Sequence, residues 1–248
     1  MRLTGKVVLV TNVGQYMGPA CAEEFAKEGA ILALHERTEA RAQGALARAH
    51  GREATVVTGD LTVSGEANRV VRSVAERHGR LDVLVNNSSH PPVGGPIDEI
   101  SDETWRSMAA RLYDEPFYCL RAAIRVMKRQ GHGKVVNITS AVAIPGLPNY
   151  AAYSAARAGT NGLTRAVGRE VACHNIQVNA IAQNFVENPT YFGPEVTGHP
   201  DKLARVIRNV PAGRLARPEE SAKLCVFLAC DDSDFFCGQV IPFAGGWI

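Results

Sequence analysis

Short runs rich in β-branched residues alternate with longer amphipathic segments along almost the whole chain. The runs are apolar at consecutive positions, which is typical of strands whose two faces are both covered by helices. Seven strands are predicted, at residues 6–11, 31–35, 54–58, 81–86, 134–139, 176–181 and 239–243. Helices are predicted at residues 18–28, 38–49, 64–78, 102–129 and 152–173, and at 219–228 after Pro218.

A strand, a helix and a second strand in succession form a right-handed crossover between parallel neighbours. The alternation therefore predicts an α/β fold with a doubly wound, parallel seven-stranded sheet of the Rossmann type. The 248 residues fit one large α/β domain, so a single domain over residues 1–248 is predicted and a second one is excluded. The irregular stretch 183–200 follows the sixth strand, at the sheet edge where such folds bind ligands.

Charge and composition exclude several classes of partner. The 27 Lys and Arg residues nearly balance the 25 Asp and Glu residues without any block of like charges, which argues against nucleic acid and membrane surfaces. No apolar run reaches the roughly 18 residues of a membrane span, and the first strand lacks the features of a signal peptide. The histidines and the six cysteines show no metal-ligand or C-x-x-C spacing. We therefore expect no metal, buried cysteines, a reducing cytoplasmic location and a small-molecule substrate.

Three residues near the fifth strand form a candidate catalytic group. Ser140 stands at the end of the strand, Tyr153 follows thirteen residues later, and Arg157 lies one helical turn beyond Tyr153. Residues four apart share one face of a helix, so the guanidinium lies beside the phenol and favours its phenolate form. A phenolate can act as a general base, and the serine hydroxyl can hydrogen-bond the same substrate oxygen. The alternative, a surface arginine beside a half-buried tyrosine, stays open for an isolated Y-x-x-x-R.

Over essentially its whole length the chain resembles the short-chain dehydrogenase/reductase superfamily. The residues that match the superfamily pattern are Asp60, Asn86, Asn87, Ser140 and Tyr153. Two positions depart from it: the usual lysine of Y-x-x-x-K is Arg157, and the asparagine expected within residues 105–112 appears as Arg111. For Arg111 two interpretations stay open, a solvated helix residue and a contact of the substrate.

The turn after the first strand departs from this superfamily at the positions that bind its dinucleotide. A pyrophosphate can approach the backbone over a helix N-terminus only where side chains are missing. Relative to T-G-x-x-x-G-x-G, the first two glycines are replaced by Asn12 and Tyr16. The Pro-Gly pair usual after the sixth strand is Gln183-Asn184, followed by Phe185. We expect side chains to fill the cofactor site, while a core role for Tyr16 with a nucleotide bound in another way stays open.

The combination of T-x4-(F/Y)-x-G at residues 11–18 with S-x12-Y-x3-R at residues 140–157 is similar to the halohydrin dehalogenases, which are cofactor-independent relatives of the dehydrogenases. The resemblance implies no cofactor, a vicinal halohydrin or epoxide as substrate, halide or another small anion as second ligand, and a homotetramer. In the implied reaction Tyr153 removes the hydroxyl proton, Ser140 holds the oxygen, and the alkoxide displaces halide to give an epoxide. The reverse reaction opens an epoxide with azide, cyanide or nitrite.

The resemblance also implies a halide pocket around the turn and the loop after the sixth strand. The candidate halide-binding residues are Tyr16, Gln183, Asn184, Phe185, Val186 and Tyr191. Val142 and Phe192 are candidate substrate contacts, and for Phe192 a role in covering the core stays open. Trp247 is interpreted as a packing residue or as part of a subunit interface. Two other functions remain as alternatives, an atypical NAD(P)-dependent oxidoreductase and a catalytically silent scaffold.

Overall fold

The computed structural model describes residues 1–39, 54–91 and 93–248. Its strands are β1 (Val7–Val10), β2 (Ile31–Glu36), β3 (Ala54–Thr58), β4 (Val83–Asn86), β5 (Gly133–Ser140), β6 (Ile176–Gln183) and β7 (Val240–Phe243). They form one parallel sheet in the order β3-β2-β1-β4-β5-β6-β7. The predicted doubly wound, seven-stranded parallel sheet is therefore confirmed, with every strand end within two residues of its prediction.

Helices cover both faces of this sheet. They are α1 (Gly18–Lys27), α2 (Ser64–His78), α3 (Asp102–Ala109), α4 (Glu115–Gln130), α5 (Ala151–Val171), α6 (Pro194–Thr197), α7 (Pro200–Ile207) and α8 (Pro218–Ala229). Short 3-10 turns lie at Ile97–Glu99, Ala141–Ala143, Ala172–His174 and Asp231–Ser233. The helix predicted at 38–49 falls mostly outside the described residues.

The segment predicted as one helix at 102–129 is divided. A single π-helical turn, Ala110–Asp114, separates α3 from α4. The N-terminus of α3 is capped by Ser101, whose Oγ accepts a hydrogen bond from the Thr104 N–H (3.1 Å). Hydrophobic periodicity does not reveal the π turn, because a π turn contains the same residue types as the ordinary helical turns around it.

Alternate residues of the strands pack on opposite faces of the sheet. Val8 and Val10 of β1 belong to the core cluster that includes α1 and α8, whereas Val7 and Leu9 belong to the cluster that includes α2 and α4. All eight residues of β5 and all eight of β6 are buried. Two covered faces explain why the apolar runs in the sequence are continuous. Among the described residues, no helix has the length and hydropathy to cross a membrane.

The expectation that the cysteines are buried is wrong for two of them. All six are free, and four are buried: Cys21, Cys119, Cys225 and Cys230. Cys173 is exposed because it lies in the 3-10 turn that ends α5 at the surface, and Cys237 is partly buried. Residue type alone did not reveal which segments end at the surface.

Candidate active site

A cavity of about 430 Å³ opens at the carboxyl edge of the sheet, where β5 and β6 end. The last residues of these strands, Ser140 and Gln183, are paired in the sheet register. The cavity is lined by Tyr16, Ser140, Val142, Leu147, Tyr150, Tyr153, Gln183, Asn184, Phe185, Val186, Asn188, Tyr191, Phe192, Val206, Asn209 and Trp247. Every site residue predicted from the sequence is in this lining except Arg157, which lies behind it.

Ser140 and Tyr153 approach the cavity from two adjoining elements. The Oγ of Ser140 accepts a hydrogen bond from the Val142 N–H (3.2 Å), at the start of the 3-10 turn after β5. This hydrogen bond uses a lone pair of Oγ and not its hydrogen. The hydroxyl proton of Ser140 therefore remains available for donation to a substrate oxygen. Tyr153 belongs to the first turn of α5, and both side chains are almost fully buried.

Arg157 is fully buried one helical turn after Tyr153. Its guanidinium donates to the carbonyl oxygens of Ile138 (3.0 Å) and Ser88 (3.0 Å), and at 3.4 Å to Ser88 Oγ. The guanidinium carbon lies 5.5 Å from the ring centre of Tyr153 and 5.7 Å from the ring centre of Tyr16. Two phenol rings therefore flank one buried cation.

The charge of Arg157 has neutral hydrogen-bond acceptors only, within the part of the chain that the structure describes. In the same part its Nε has no hydrogen-bond partner. Burial opposes the charge, but the hydroxyls of Tyr153, Tyr191 and Tyr16 raise the pKa of Arg157 above its usual value. The side chain stays a cation, and its field favours negative charge on the cavity side.

Tyr16 fills the space beside this cation. Its backbone is left-handed (φ +51°), and its ring is 4% exposed. The hydroxyl donates to the Thr139 carbonyl oxygen (3.1 Å), and the N–H donates to Thr190 Oγ1 (2.9 Å). Burial raises the pKa of Tyr16 well above its usual value, so this phenol stays neutral.

The loop after β6 supplies a third tyrosine. The ring of Tyr191 lies edge-on to that of Tyr16, with centres 5.1 Å apart, and 6.4 Å from that of Tyr153. Its hydroxyl donates to the His90 carbonyl oxygen (3.0 Å), and burial raises its pKa above the usual value. Asn188 Oδ1 accepts the Tyr191 N–H (2.9 Å) and so fixes the loop. Tyr191 is therefore held as a neutral phenol.

The loop residues predicted to bind halide line the cavity. Gln183 Oε1 accepts a hydrogen bond from Ser221 Oγ (2.6 Å), which fixes the orientation of its amide group. Asn184 Oδ1 accepts the N–H of Phe185 (2.9 Å), whose backbone is left-handed (φ +55°). The Gln183 side chain also hydrogen-bonds the Tyr16 hydroxyl. The amide nitrogen of Asn184 therefore remains as the polar group available to an anion.

The turn after β1 does not fit the dinucleotide that Rossmann-type folds commonly bind. Its N–H groups are already used within the protein: those of Asn12, Gly14 and Met17 donate to His35 Nδ1, Glu36 Oε1 and Asn87 Oδ1. The remaining N–H groups of residues 13–18 also have partners. A pyrophosphate needs these groups free and glycine at the positions of closest approach.

A buried carboxyl group below the turn was not predicted. Asn12 Nδ2 donates to Glu115 Oε1, and both side chains are about 2% exposed. Burial raises the pKa of Glu115 to about 8. The sequence carries no signal for this contact, since 103 residues separate the two side chains and neither belongs to a motif that pairs them.

Two residues whose roles were left open have definite places. Arg111 is neither freely solvated nor in the cavity lining: its side chain is 20% exposed, and its NH1 lies 3.6 Å from Glu115 Oε2. Trp247 lines the cavity and packs edge-on to Phe185, with ring centres 5.6 Å apart.

Lining residues that the sequence did not single out are Leu147, Tyr150, Val206 and Asn209. The described residues contain no cluster of three potential metal ligands.

Comparisons with known proteins agree with this fold. The family described as "Enoyl-(Acyl carrier protein) reductase" matches residues 14–248. An uncharacterized oxidoreductase of Thermotoga maritima is 33% identical over 250 residues, covering 99% of this chain and 98% of the relative. The 3-oxoacyl-[acyl-carrier-protein] reductase FabG of the same organism is 32% identical over the full length of both chains.

Solved structures are similar over the same length. One named "Dehalogenation enzyme" has a TM-score of 0.92 at 30% identity and covers 100% of both chains. Levodione reductase has a TM-score of 0.92 at 28% identity, over 99% of this chain and 98% of its own. The fold and the serine–tyrosine pair thus define a Rossmann-type α/β enzyme. The chain belongs to the short-chain dehydrogenase/reductase superfamily.

Proposed function

We propose that this protein is a halohydrin dehalogenase that works without a nucleotide cofactor. One observation carries the proposal: Tyr16 and Asn12 fill the turn after β1, while Ser140, Tyr153 and the buried Arg157 remain together beside it. A reductase needs both the proton-transferring tyrosine and room for nicotinamide. In this protein the room for nicotinamide is replaced by a space that is lined by side chains and lies next to the buried cation of Arg157.

The proposed reaction is an intramolecular displacement. Tyr153, acting as the general base beside the Arg157 guanidinium, accepts the hydroxyl proton of a vicinal halohydrin, while the Ser140 hydroxyl donates a hydrogen bond to the same oxygen. The oxygen forms a bond to the neighbouring carbon, and the carbon–halogen bond breaks with its electron pair leaving on halide. The products are an epoxide, a halide ion and the proton now on Tyr153. Binding the substrate with the two bonds anti supplies the entropic part of the rate.

The leaving halide would be held at the cavity end formed by Gln183, Asn184, Phe185 and Val186, with Tyr16 and Tyr191 across from them. The neutral phenol rings are polarisable, the Asn184 amide nitrogen is a donor, and Arg157 supplies a positive field from behind. In the reverse direction Tyr153 donates its proton to the epoxide oxygen as azide, cyanide or nitrite attacks from this end.

Halide release without added nucleotide tests the proposal. A panel of chlorohydrins and bromohydrins, including 1,3-dichloro-2-propanol, should release halide above the buffer blank, and epoxides should be opened by azide. Absence of both reactions, with the protein shown to be folded, would leave the silent scaffold as the better account.

A second candidate function is an NAD(P)-dependent oxidoreductase. It is favoured by the relatives, most of which have names of dehydrogenases or reductases. Glu36 also ends β2, where an acidic residue binds the ribose in many dinucleotide enzymes. In this structure Glu36 instead accepts the Gly14 N–H, so the turn would have to rearrange. Titration with NADH and NADPH decides: micromolar binding with carbonyl reduction would favour this candidate.

We also propose a homotetramer, on the family resemblance. Trp105 and Tyr113 are exposed and line a shallow apolar groove together with Ala152, Ala155 and Gly159 of α5. Such a groove on neighbouring helices is a surface that a second copy of the chain could cover.

A further inference from the structure

A chain of side-chain hydrogen bonds reaches the cavity from outside its lining. Ser221 lies in the first turn of α8, is 1% exposed and does not line the cavity. Its Oγ donates to Gln183 Oε1 (2.6 Å), and the Gln183 side chain hydrogen-bonds the Tyr16 hydroxyl. The Tyr16 hydroxyl in turn donates to the carbonyl oxygen of Thr139, the residue before Ser140. The chain of bonds therefore joins α8, the end of β6, the turn after β1 and the end of β5.

The direction of these hydrogen bonds fixes the Gln183 amide in one orientation. A carboxamide has an acceptor oxygen and a donor nitrogen, which half a turn of the group exchanges. Because the Ser221 hydroxyl donates to the oxygen, the nitrogen is the atom that remains for Tyr16. The Tyr16 hydroxyl gives its proton to Thr139 and accepts the amide N–H with a lone pair. A reversed amide would place its oxygen against the phenol oxygen, where both atoms are acceptors.

Ser221 is a polar residue among apolar ones on the buried side of α8. Its neighbours Ala222 and Cys225 are fully buried and belong to the core cluster that also contains Tyr16. A buried hydroxyl costs free energy in such surroundings unless it is hydrogen-bonded. The bond to Gln183 supplies that partner, and it links a residue of the core to a residue of the cavity wall.

Tyr16 is a residue that other groups must hold in place. Its φ of +51° is in the left-handed region, which is unfavourable for a residue with a large side chain and persists where the surrounding contacts impose it. The Tyr16 N–H donates to Thr190 Oγ1 (2.9 Å), and the ring lies edge-on to Tyr191 (5.1 Å between centres). These contacts hold the backbone and one side of the ring, whereas Gln183 and Thr139 hold the hydroxyl. The position of the hydroxyl end therefore depends on the Gln183 amide.

We propose that Ser221 is a positioning residue for the anion site: acting through the Gln183 amide, it holds the Tyr16 phenol where the ring forms a wall of that site. This inference rests on the proposed dehalogenase function and adds to it a residue outside the cavity. The serine keeps the Gln183 nitrogen on Tyr16 and the Gln183 oxygen turned away from the anion. Without the serine hydroxyl the amide is free to rotate, and its oxygen would repel a bound halide.

Equilibrium binding of bromide tests the inference without turnover. Ser221→Ala should raise the dissociation constant of bromide about fivefold or more, since one hydrogen bond contributes roughly this factor. Calorimetry at constant ionic strength, balanced with sulfate, gives the constants. Ser233→Ala is the matched control: Ser233 is fully buried after α8, outside the cavity lining, and its Oγ donates to the Leu228 and Cys230 carbonyl oxygens. This control also loses buried hydrogen bonds, and its bromide constant should stay within twofold of the wild type.

Three results of this titration would overturn the inference, and they separate it from the proposed function. Equal constants for the wild type and Ser221→Ala would show that the serine does not act on the anion site, and would leave the dehalogenase function standing. An equal rise in Ser221→Ala and Ser233→Ala would show a general loss of stability. If the wild type neither binds bromide nor releases halide from chlorohydrins, the proposed function fails and the inference fails with it.

A double-mutant cycle tests whether Ser221 acts through Gln183. Gln183→Ala removes the amide that connects the serine to Tyr16. Added to Gln183→Ala, Ser221→Ala should therefore change the bromide constant less than twofold, because residues in one hydrogen-bond network do not act additively. Two effects that add in full would show that the serine acts by another route and would contradict the inference.

The kinetics of epoxide opening by azide give a readout that a merely structural role would not move. In Ser221→Ala the KM for azide should rise about fivefold or more, since azide occupies the anion site and loses the same interaction as bromide. The KM for the epoxide should change less than twofold, because Ser140 and Tyr153 bind the epoxide oxygen in the proposed reaction. A parallel change in both KM values, or a fall in kcat alone, would contradict a role confined to the anion site.

Discussion

Arg157 is the residue on which the proposed chemistry of the site depends. It is buried between the rings of Tyr16 and Tyr153 and is held by backbone carbonyl oxygens and Ser88. The hydrogen bonds of this buried cation go to neutral oxygen atoms, so its electrostatic field acts on the adjacent phenol rings. Its position one turn after Tyr153 is visible in the sequence, whereas its burial is a property of the packed structure.

Replacing the proposed base should remove activity without unfolding the protein. Tyr153→Phe deletes one hydroxyl at a residue that faces the cavity, and we expect halide release to fall at least a hundredfold, since general base catalysis contributes roughly 10²–10⁴ in rate. Initial rates of halide release measure the loss, and a thermal melt checks the fold. A variant that keeps more than a tenth of the activity would rule out Tyr153 as the base.

Arg157→Lys should change the pH dependence as well as the rate. A lysine keeps the charge but cannot bond the Ile138 and Ser88 carbonyl oxygens at once as the guanidinium fork does. We expect a rate lower by tenfold or more and a shifted pH–rate profile. The measurement is kcat/KM for halide release from pH 5 to 10 in both proteins, and superimposable profiles would contradict the assigned role.

At the scale of elements, the π turn before α4 places a carboxyl group under the turn after β1. Glu115 begins α4, accepts a hydrogen bond from Asn12, and lies near Arg111 on its own helical segment. The charges of Asp60, Arg37 and Arg157, from other elements, also act on it. The Asn12–Glu115 contact therefore joins the start of α4 to the turn after β1.

Glu115→Gln should change how stability depends on pH. The folded-state pKa of Glu115, about 8, exceeds the unfolded value of about 4.5, so the folded state binds more protons between these values and stability falls as pH rises. Gln keeps an oxygen acceptor for Asn12 and cannot ionise. From pH 6.5 to 8 the wild type should lose about 2 kcal/mol relative to the variant.

Denaturant unfolding at several pH values in that interval checks this prediction. The interval starts at 6.5 because burial lowers the pKa of His35 to about 4, and the stability linked to His35 is lost only as pH falls below 6.5. Parallel stability curves for the two proteins would show that Glu115 does not titrate in this range.

At the scale of the whole molecule, the sheet brings distant segments to one edge. One cavity collects the β1 turn, the ends of β5 and β6 and Trp247 near the carboxyl terminus, because all strands are parallel and their carboxyl ends coincide.

If the proposed homotetramer forms, light scattering should give four times the 26.6 kDa chain mass. Trp105→Arg, in the apolar groove on α3, should lower that mass, and an unchanged mass would show that the groove is not an interface.

The order of strands and helices along the chain, the parallel sheet and the Ser140–Tyr153–Arg157 spacing follow from the amino-acid sequence, because each of these depends on periodicity or on neighbours within a helical turn. The sequence also reveals that Asn12 and Tyr16 replace glycines. The packing of the folded chain is what shows that the turn after β1 is closed by hydrogen bonds to His35, Glu36 and Asn87, and that Glu115 lies beneath it. These contacts join residues that are far apart in the chain, and no local pattern specifies which of them meet.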